Sequence, residues 1–435
     1  MRLNETHDPA LHSFVNSANH SAAEFPIQNL PFAVFRRRST ADAFRVGVGI
    51  GDQVLDVSAV AGLLDGLARK AANACQQPSM NALMDLGAEA WTALRLGLSR
   101  LLRDSSPHIP AVSEHLLPMA DLEFGLPLKI TSFTDFGASI HHVAKVTRIA
   151  IPDNPHIEPH MLWIPVGFHS RGSTVRSSGH SFPRPKGQTG VVQNGVPVFG
   201  PSQKLDYEAE LGIYISRDTD MGQPLSVDEA EDAIFGFSVL NDWTARDIMF
   251  RERLPLGPLT SKNFATTISP WVVTAEALEP FRRAMSRSEP YPDPLPNLDS
   301  ERNRRRGALD VKVEVLLQTA SGEAQGLEPT SLSLSNVLDM YWTPAQLIAH
   351  QTSTGSSLEQ GDLIGTGTIS GPGQTESGCM FELTLGGKEE VAMPTGERRG
   401  FVEDGDTAII RAFCEAEGFR SIGFGEASSK VLANP

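Results

Sequence analysis

Beyond Leu126, short runs alternate apolar with small or polar residues: Glu208 to Ile215, Val311 to Leu317, Leu363 to Ile369, Cys379 to Leu385 and Thr407 to Phe413. A period of two is what a strand with one buried face produces, so each run predicts a strand. Helical signals are few. Ser226 to Ile234 is one candidate, and Thr343-Pro344 followed by Leu347 and Ile348 reads as an N-cap with proline in the first helical position. An antiparallel β-sandwich or roll of roughly three hundred residues fits this pattern.

Between Phe25 and about Asp121 the pattern is mixed. Val46, Val48 and Ile50 alternate, Gly51-Asp52 offers a turn, and Val54-Leu55-Asp56-Val57 returns, which predicts a hairpin. Leu94, Leu98, Leu101 and Leu102 follow at helical spacing, so Asn81 to Arg103 is expected to hold one or two amphipathic helices on a small sheet. This N-terminal part is α+β in character and has no convergent polar cluster. Residues 1–24 are polar, lack the apolar core of a secretory signal and are expected to be flexible.

With 435 residues, the chain exceeds what one core usually serves, so two domains are expected. A net charge of −15 argues against a nucleic-acid partner. The runs Arg36-Arg37-Arg38 and Arg304-Arg305-Arg306 are read as solvated loops. Cys75, Cys379 and Cys414 have neither disulfide-framework density nor metal-site spacing, which points to a reducing compartment. No run approaches the roughly 18 apolar residues of a membrane helix, so a cytoplasmic protein with no membrane partner is expected.

Glu208 and Glu210 lie two apart on an expected strand and so present two carboxylates to one face. Alone, the pair equally describes a solvated acidic face. Asp135 and Asp242 come from separate segments flanked by glycine, proline or aromatic residues. Buried acids need a partner, and four oxygen donors without cysteine suit Ca²⁺, Mg²⁺ or Mn²⁺ rather than zinc. If the segment after Asp242 is helical, Arg246 stands one turn on, which also describes a structural Asp–Arg pair. His141 and His142 are adjacent and point different ways, so the residues alone do not choose between them.

Taken together, the segments resemble the fumarylacetoacetase family. Those that carry the resemblance include Thr134-Asp135-Phe136, Pro165-Val166-Gly167-Phe168-His169-Ser170-Arg171, Arg184-Pro185-Lys186-Gly187-Gln188 and Asp206-Tyr207-Glu208-Ala209-Glu210. Asn241-Asp242-Trp243-Thr244-Ala245-Arg246, Ser269-Pro270-Trp271, Tyr341-Trp342-Thr343 and Gly367-Thr368-Ile369-Ser370-Gly371-Pro372 follow in the same order along the whole chain. The resemblance implies a small SH3-like N-terminal domain over 25–127, a large β-roll or β-sandwich catalytic domain over 128–435, and a homodimer. By motif match it places metal ligands on Asp135, Glu208, Glu210 and Asp242, the general base on His142 and the acid that orients it on Glu382. Arg246 and Lys262 match cationic groups that stabilise developing negative charge. Lys262 and Thr266 also match the surroundings of a second cation, and Thr368 a substrate contact.

The implied chemistry agrees with the residue types. A hard cation chelated by a 1,3-dicarbonyl polarises a carbonyl and stabilises the departing enolate, and a histidine held by an acid can activate water. The recognition positions depart from the family pattern. Gly137, Phe168 and Arg253 stand where the family has tyrosines, Ile151 where an arginine meets a substrate carboxylate, and Met249 where a glutamine helps form the oxyanion site. One lost oxyanion donor typically costs about 10²–10³ in rate. The expected activity is therefore metal-dependent C–C hydrolysis of a 1,3-diketo acid other than fumarylacetoacetate, a small oxo-acid substrate. A decarboxylase, tautomerase or cyclising enzyme on the same metal site is the second reading, and a non-catalytic metal-binding relative the third.

Overall fold

The computed structural model describes residues 3–287 and 290–434. The N-terminal part forms a five-stranded antiparallel sheet in the spatial order Leu116–Pro118, Gln53–Asp56, Arg45–Ile50, Phe32–Arg37, Leu122–Phe124. The expected hairpin is its centre: Ile50 pairs with Gln53, and Gly51 turns the chain at a φ of +57°, a conformation that favours glycine. The helices Asn81–Met84 and Ala88–Leu102 follow, separated at Gly87, and Leu94, Leu98 and Leu102 are fully buried against the sheet.

The rest of the chain stacks two sheets. The first runs Gly167–Ser170, Phe133–Phe136, Leu363–Gly365, Ala209–Ile215, Ile234–Asp242, Thr266–Ile268, Val175–Ser177, with Val273–Thr274 also paired to Ile234–Asp242. The second runs Thr330–Asn336, Lys312–Gln318, Thr407–Cys414, Ile422–Leu432, His180–Pro183. Leu211, Ile213, Phe237 and Val239 of the first sheet share a core with Val313, Val315 and Ile410 of the second. The opposite face of the first sheet offers Phe133, Tyr214, Leu240, Ile268 and Leu363 to the N-terminal core. Both faces of the central strands are thus buried, as in a sandwich with a third layer.

Several expectations need correction. Cys379 to Leu385 is not a strand: Met380–Leu383 is a short helix, because the Asp206 carboxylate accepts from the N–H groups of Met380 and Phe381 and starts a helical turn. A short apolar run cannot distinguish the two by periodicity. The strand expected over Leu363 to Ile369 ends at Gly365. Arg304 to Arg306 close the helix Glu301–Arg306, where basic residues complement the C-terminal dipole. Arg36 and Arg37 lie in the strand Phe32–Arg37, with Arg36 paired to Glu123.

The N-terminal segment is also not loose where it is described, since residues 1 and 2 lie outside the described residues. Thr6 and His7 are buried; the His7 ring meets the Glu276 carbonyl at 2.9 Å, and Arg95 donates to the Thr6 hydroxyl at 3.0 Å. These anchors are polar, so a search for apolar periodicity passes over them. No helix among the described residues is long and apolar enough to cross a membrane.

Candidate active site

The acids sit where the first sheet changes from apolar to polar along one face. Tyr214 and Glu210 share a face of one strand, Leu240 and Asp242 of the next, Phe133 and Asp135 of a third. One end of that face packs on the N-terminal core, and two to four residues further on it carries carboxylates. Glu208, one residue before its strand, bridges Cys379 and continues the row. Ligand atoms of Asp135, Glu208, Glu210 and Asp242 all lie within 4.8 Å of one another, and all four residues are buried.

Two cations face this group. Lys262 Nζ lies 2.6 Å from Asp242 Oδ2 and also contacts Glu208, while Arg246 bridges Asp206 and Glu208 at 2.7 Å each. Thr266 donates to Asp242 Oδ1 at 3.2 Å. Arg246 therefore does not pair with Asp242, since Asp242 ends a strand and the helix Arg246–Glu252 begins only afterwards.

The electrostatics are divided. Burial raises the Glu208 carboxyl, but Lys262 and Arg246 outweigh it and hold the group well below the usual carboxylate range. Lys262 acts on Asp135 and Glu210 as well but does not outweigh the rest: burial, and then the negative charges of Asp242 on the first and Asp135 on the second, push both well above that range. Burial disfavours the charge of Lys262, yet Asp242 and Glu208 hold its ammonium above its ordinary value.

The donor set fits a hard divalent cation on two observations. Asp135 Oδ1 and Glu210 Oε1 are buried without a hydrogen-bond partner. Gly365 leaves room between them, since a Cβ there would lie 2.5 Å from Asp135 Oδ1 and 2.8 Å from Glu210 Oε2.

His142 lies in the first turn of the helix Ile140–Ala150, whose N-cap Ser139 accepts from the His142 N–H at 3.2 Å. Its Nδ1 lies 3.3 Å from Glu382 Oε1. Ser370 Oγ donates to Glu382 Oε2 at 2.8 Å, and the Cys379 thiol lies 3.4 Å from the same oxygen. Burial would raise the Glu382 carboxyl; its contacts with His142, then Lys145 and Ser370, keep it below the usual range. His142 Nδ1 and Glu382 Oε1 approach as an ion pair without forming a hydrogen bond; a proton on Nδ1 would face the carboxylate and leave Nε2 as the basic atom. His141 instead acts electrostatically on Asp339, so the neighbouring histidines do diverge.

The recognition positions are scattered more widely. Phe168 stands opposite Asp135 in the strand register, with Lys262 Nζ 5.8 Å from its ring centroid. Met249 Sδ is 3.9 Å from Arg246 Nη1, and Thr368 is buried with its methyl group towards Gly378. Gly137 donates to the Val166 carbonyl at 2.8 Å, and an added Cβ would meet the Val166 side chain at an ordinary contact distance of 3.7 Å. Arg253 caps the helix Arg246–Glu252 and stacks over Phe250. Ile151 caps the C-terminus of the helix that carries His142, about 13 Å of helical rise away, and is 36% exposed. Ile151 therefore lies at the opposite end of this helix from His142.

Asp206 is a functional position the sequence reading passed over. It orients Arg246 and starts the helix that carries Glu382. Its even spacing with Glu208 and Glu210 was the available signal. Ser370 and Cys379 gave none, because their contact with Glu382 depends on how two loops fold together.

Residues 131–432 match the family model described as fumarylacetoacetate hydrolase C-terminal, and residues 28–127 that described as fumarylacetoacetase N-terminal. The chain is 39% identical to the fumarylacetoacetase of Oryza sativa subsp. japonica over 97% of each chain. It is 38% identical to that of Arabidopsis thaliana, covering 98% of this chain and 99% of the relative, and 37% identical to that of Homo sapiens, covering 97% and 98%. These matches define the class, a hydrolase acting on carbon–carbon bonds. The chain belongs to the fumarylacetoacetase family.

Proposed function

We propose that this enzyme hydrolyses a C–C bond in a 1,3-diketo acid, with a divalent cation at the four-carboxylate cluster and with a substrate other than fumarylacetoacetate. The observation that carries the reading is the pair of partnerless buried oxygens on Asp135 and Glu210, beside a histidine already held by a buried acid. Asp135, Glu208, Glu210 and Asp242 would hold Mg²⁺ or Ca²⁺, and the same donors accept Mn²⁺. When bound, such a cation polarises carbonyl oxygens and stabilises enolate charge.

The chain's own residues supply the rest. His142 Nε2 takes a proton from water as the water oxygen adds to the carbonyl, and Glu382 stabilises the resulting imidazolium. Collapse of the adduct breaks the C–C bond, its electron pair leaves as the enolate, and the proton held by His142 returns to that carbon. Lys262 and Arg246, fixed by Glu208, Asp242 and Asp206, offer positive charge where negative charge develops. Thr266 would steady Asp242 and, with Lys262, border a second cation.

The altered substrate follows from Gly137, Ile151, Phe168, Met249 and Arg253, with Thr368 kept as a contact. Replacing an arginine, a glutamine and two hydroxyls by apolar or absent groups leaves a dicarboxylate short of partners, and a buried unpaired charge is unfavourable by several kcal/mol. The same loss supports a second reading, a decarboxylase, tautomerase or cyclising enzyme at this site. Two domains over 25–127 and 128–435 and a homodimer complete the proposal. The exposed apolar side chains Val192, Val196 and Phe199 on one hairpin support a partner surface there.

Incubation with Mg²⁺ and a panel of 1,3-diketo acids, followed by mass spectrometry, tests the reading. Scission with gain of one water supports hydrolysis. Loss of CO₂, or conversion to an isomer of the same mass separated by chromatography, selects the second reading, and recovery of every acid unaltered refutes both.

A further inference from the structure

Lys145 follows His142 by three positions on the helix Ile140–Ala150, so the two side chains are neighbours on its surface. Its Nζ donates to the Gly373 carbonyl at 2.6 Å, the Glu376 carbonyl at 3.3 Å and the Ser377 hydroxyl at 3.2 Å. All three acceptors lie in the loop 371–378. The residues that bound this loop, Ser370 and Cys379, are the two whose side chains reach Glu382 Oε2. Ser370 Oγ also accepts from the Gly378 N–H at 3.0 Å and so closes the loop on itself.

None of these acceptors is a carboxylate. A half-buried ammonium loses hydration that neutral acceptors replace only in part, so its charge must act on something further off. The charged and titratable groups around it are Glu382, Cys379 and Glu376, and Glu382 has the largest effect in favour of its charge. Glu382 in turn faces His142 and Lys145 from the helix and Cys379 from its own segment. Lys145 thus touches the loop mechanically and the acid electrostatically.

We propose that Lys145 is a positioning residue for the His142–Glu382 pair: it clamps the helix that carries the base to the loop that carries Glu382's hydrogen-bond donors, and places a fixed positive charge near that carboxylate. The inference rests on the base assignment proposed above and adds to it the group that keeps base and acid in register. A small displacement of a base from its acid costs activity steeply, which is why such a clamp matters.

Lys145→Met and Lys145→Arg test it, assayed on the 1,3-diketo acid the wild type turns over best. Lys145→Met should lower kcat about ten-fold with KM changed less than about two-fold. It should also move the acidic limb of the kcat profile to higher pH, because Glu382 then keeps its proton longer. Lys145→Arg, which retains the charge, should leave that limb in place and recover most of kcat. Hydrogen exchange over residues 371–379, measured without substrate, should be at least about ten-fold faster in Lys145→Met. An unmoved acidic limb in Lys145→Met, an arginine variant as impaired as the methionine variant, or unchanged exchange over the loop overturns the proposal. A wild type that turns over no diketo acid counts against the proposed function instead, and the exchange measurement then decides the clamp by itself.

Discussion

The four acids stand on or directly beside neighbouring strands of one sheet, whereas Gly137, Ile151, Met249 and Arg253 stand in a loop or on helix termini and short helices. Strand neighbours are fixed by a ladder of backbone bonds, and a shift of one residue would turn every acid to the wrong face. The acids are therefore held by the same pairing that holds the core. Gly137, Ile151, Met249 and Arg253 have no such constraint, so each can change without disturbing a ladder; Phe168, opposite Asp135 in the strand register, is the recognition position that lies in the sheet. Chemistry built on strands and recognition built on loops can diverge separately in one fold.

The largest effect should come from the floor of the site. Glu210→Gln keeps an acceptor for the Gly367 N–H, which now bonds Glu210 Oε2 at 3.0 Å, but removes the charge. It should leave the fold intact and abolish both calorimetrically detectable divalent-cation binding and turnover. Unchanged cation affinity would show that the cluster is not the metal site.

Next in size is the base. His142→Ala should lower kcat by about 10³, within the usual range for a general base, and His141→Ala by less than about five-fold. The reverse ranking in steady-state assays would reassign the base and separate it from Glu382.

The recognition positions should respond more modestly and in the opposite direction. Ile151→Arg with Met249→Gln should raise kcat/KM on fumarylacetoacetate by about ten- to a hundred-fold. A wild type already as fast on that acid as ordinary family members would remove the contrast and make Arg253 the compensating anchor.

The smallest effect is a pH dependence. Asp135 and Glu210 bind their protons more tightly folded than unfolded, because their folded values are raised. Their contribution to metal-free stability is present below the unfolded carboxyl value of about 4 and is lost as pH rises through the raised folded values. Glu208, held low, contributes in the opposite sense: its stabilisation is present above the unfolded value and lost as pH falls. A cation that replaces the protons should therefore raise Tm by an increment that grows as pH rises from the ordinary carboxyl range towards the raised folded values. A flat increment in calorimetric scans would mean that the raised groups are not its ligands.

Much of this was legible in the residues. Period-two alternation at Val46 to Ile50, Val311 to Leu317 and Thr407 to Phe413 marked real strands, and Thr343-Pro344 marked a real helix start. The same alternation put Glu208 and Glu210 on one face. It failed at Cys379 to Leu385, where the deciding contact is made by Asp206, more than 170 residues away in sequence.

By itself, the sequence determined the local facts: which segments alternate, which faces are apolar, and that four acids carry no nearby basic run. Those depend on neighbours within a few positions, which a chain carries with it. Only the tertiary structure decided that Arg246 serves Asp206 and Glu208 rather than Asp242, and that His142 rather than His141 meets Glu382. It also decided that Gly365 leaves its missing side chain's space to Asp135 and Glu210. Charges in a low-dielectric interior take their state from whatever is nearest in space, and that distance is set by sheet register and loop closure.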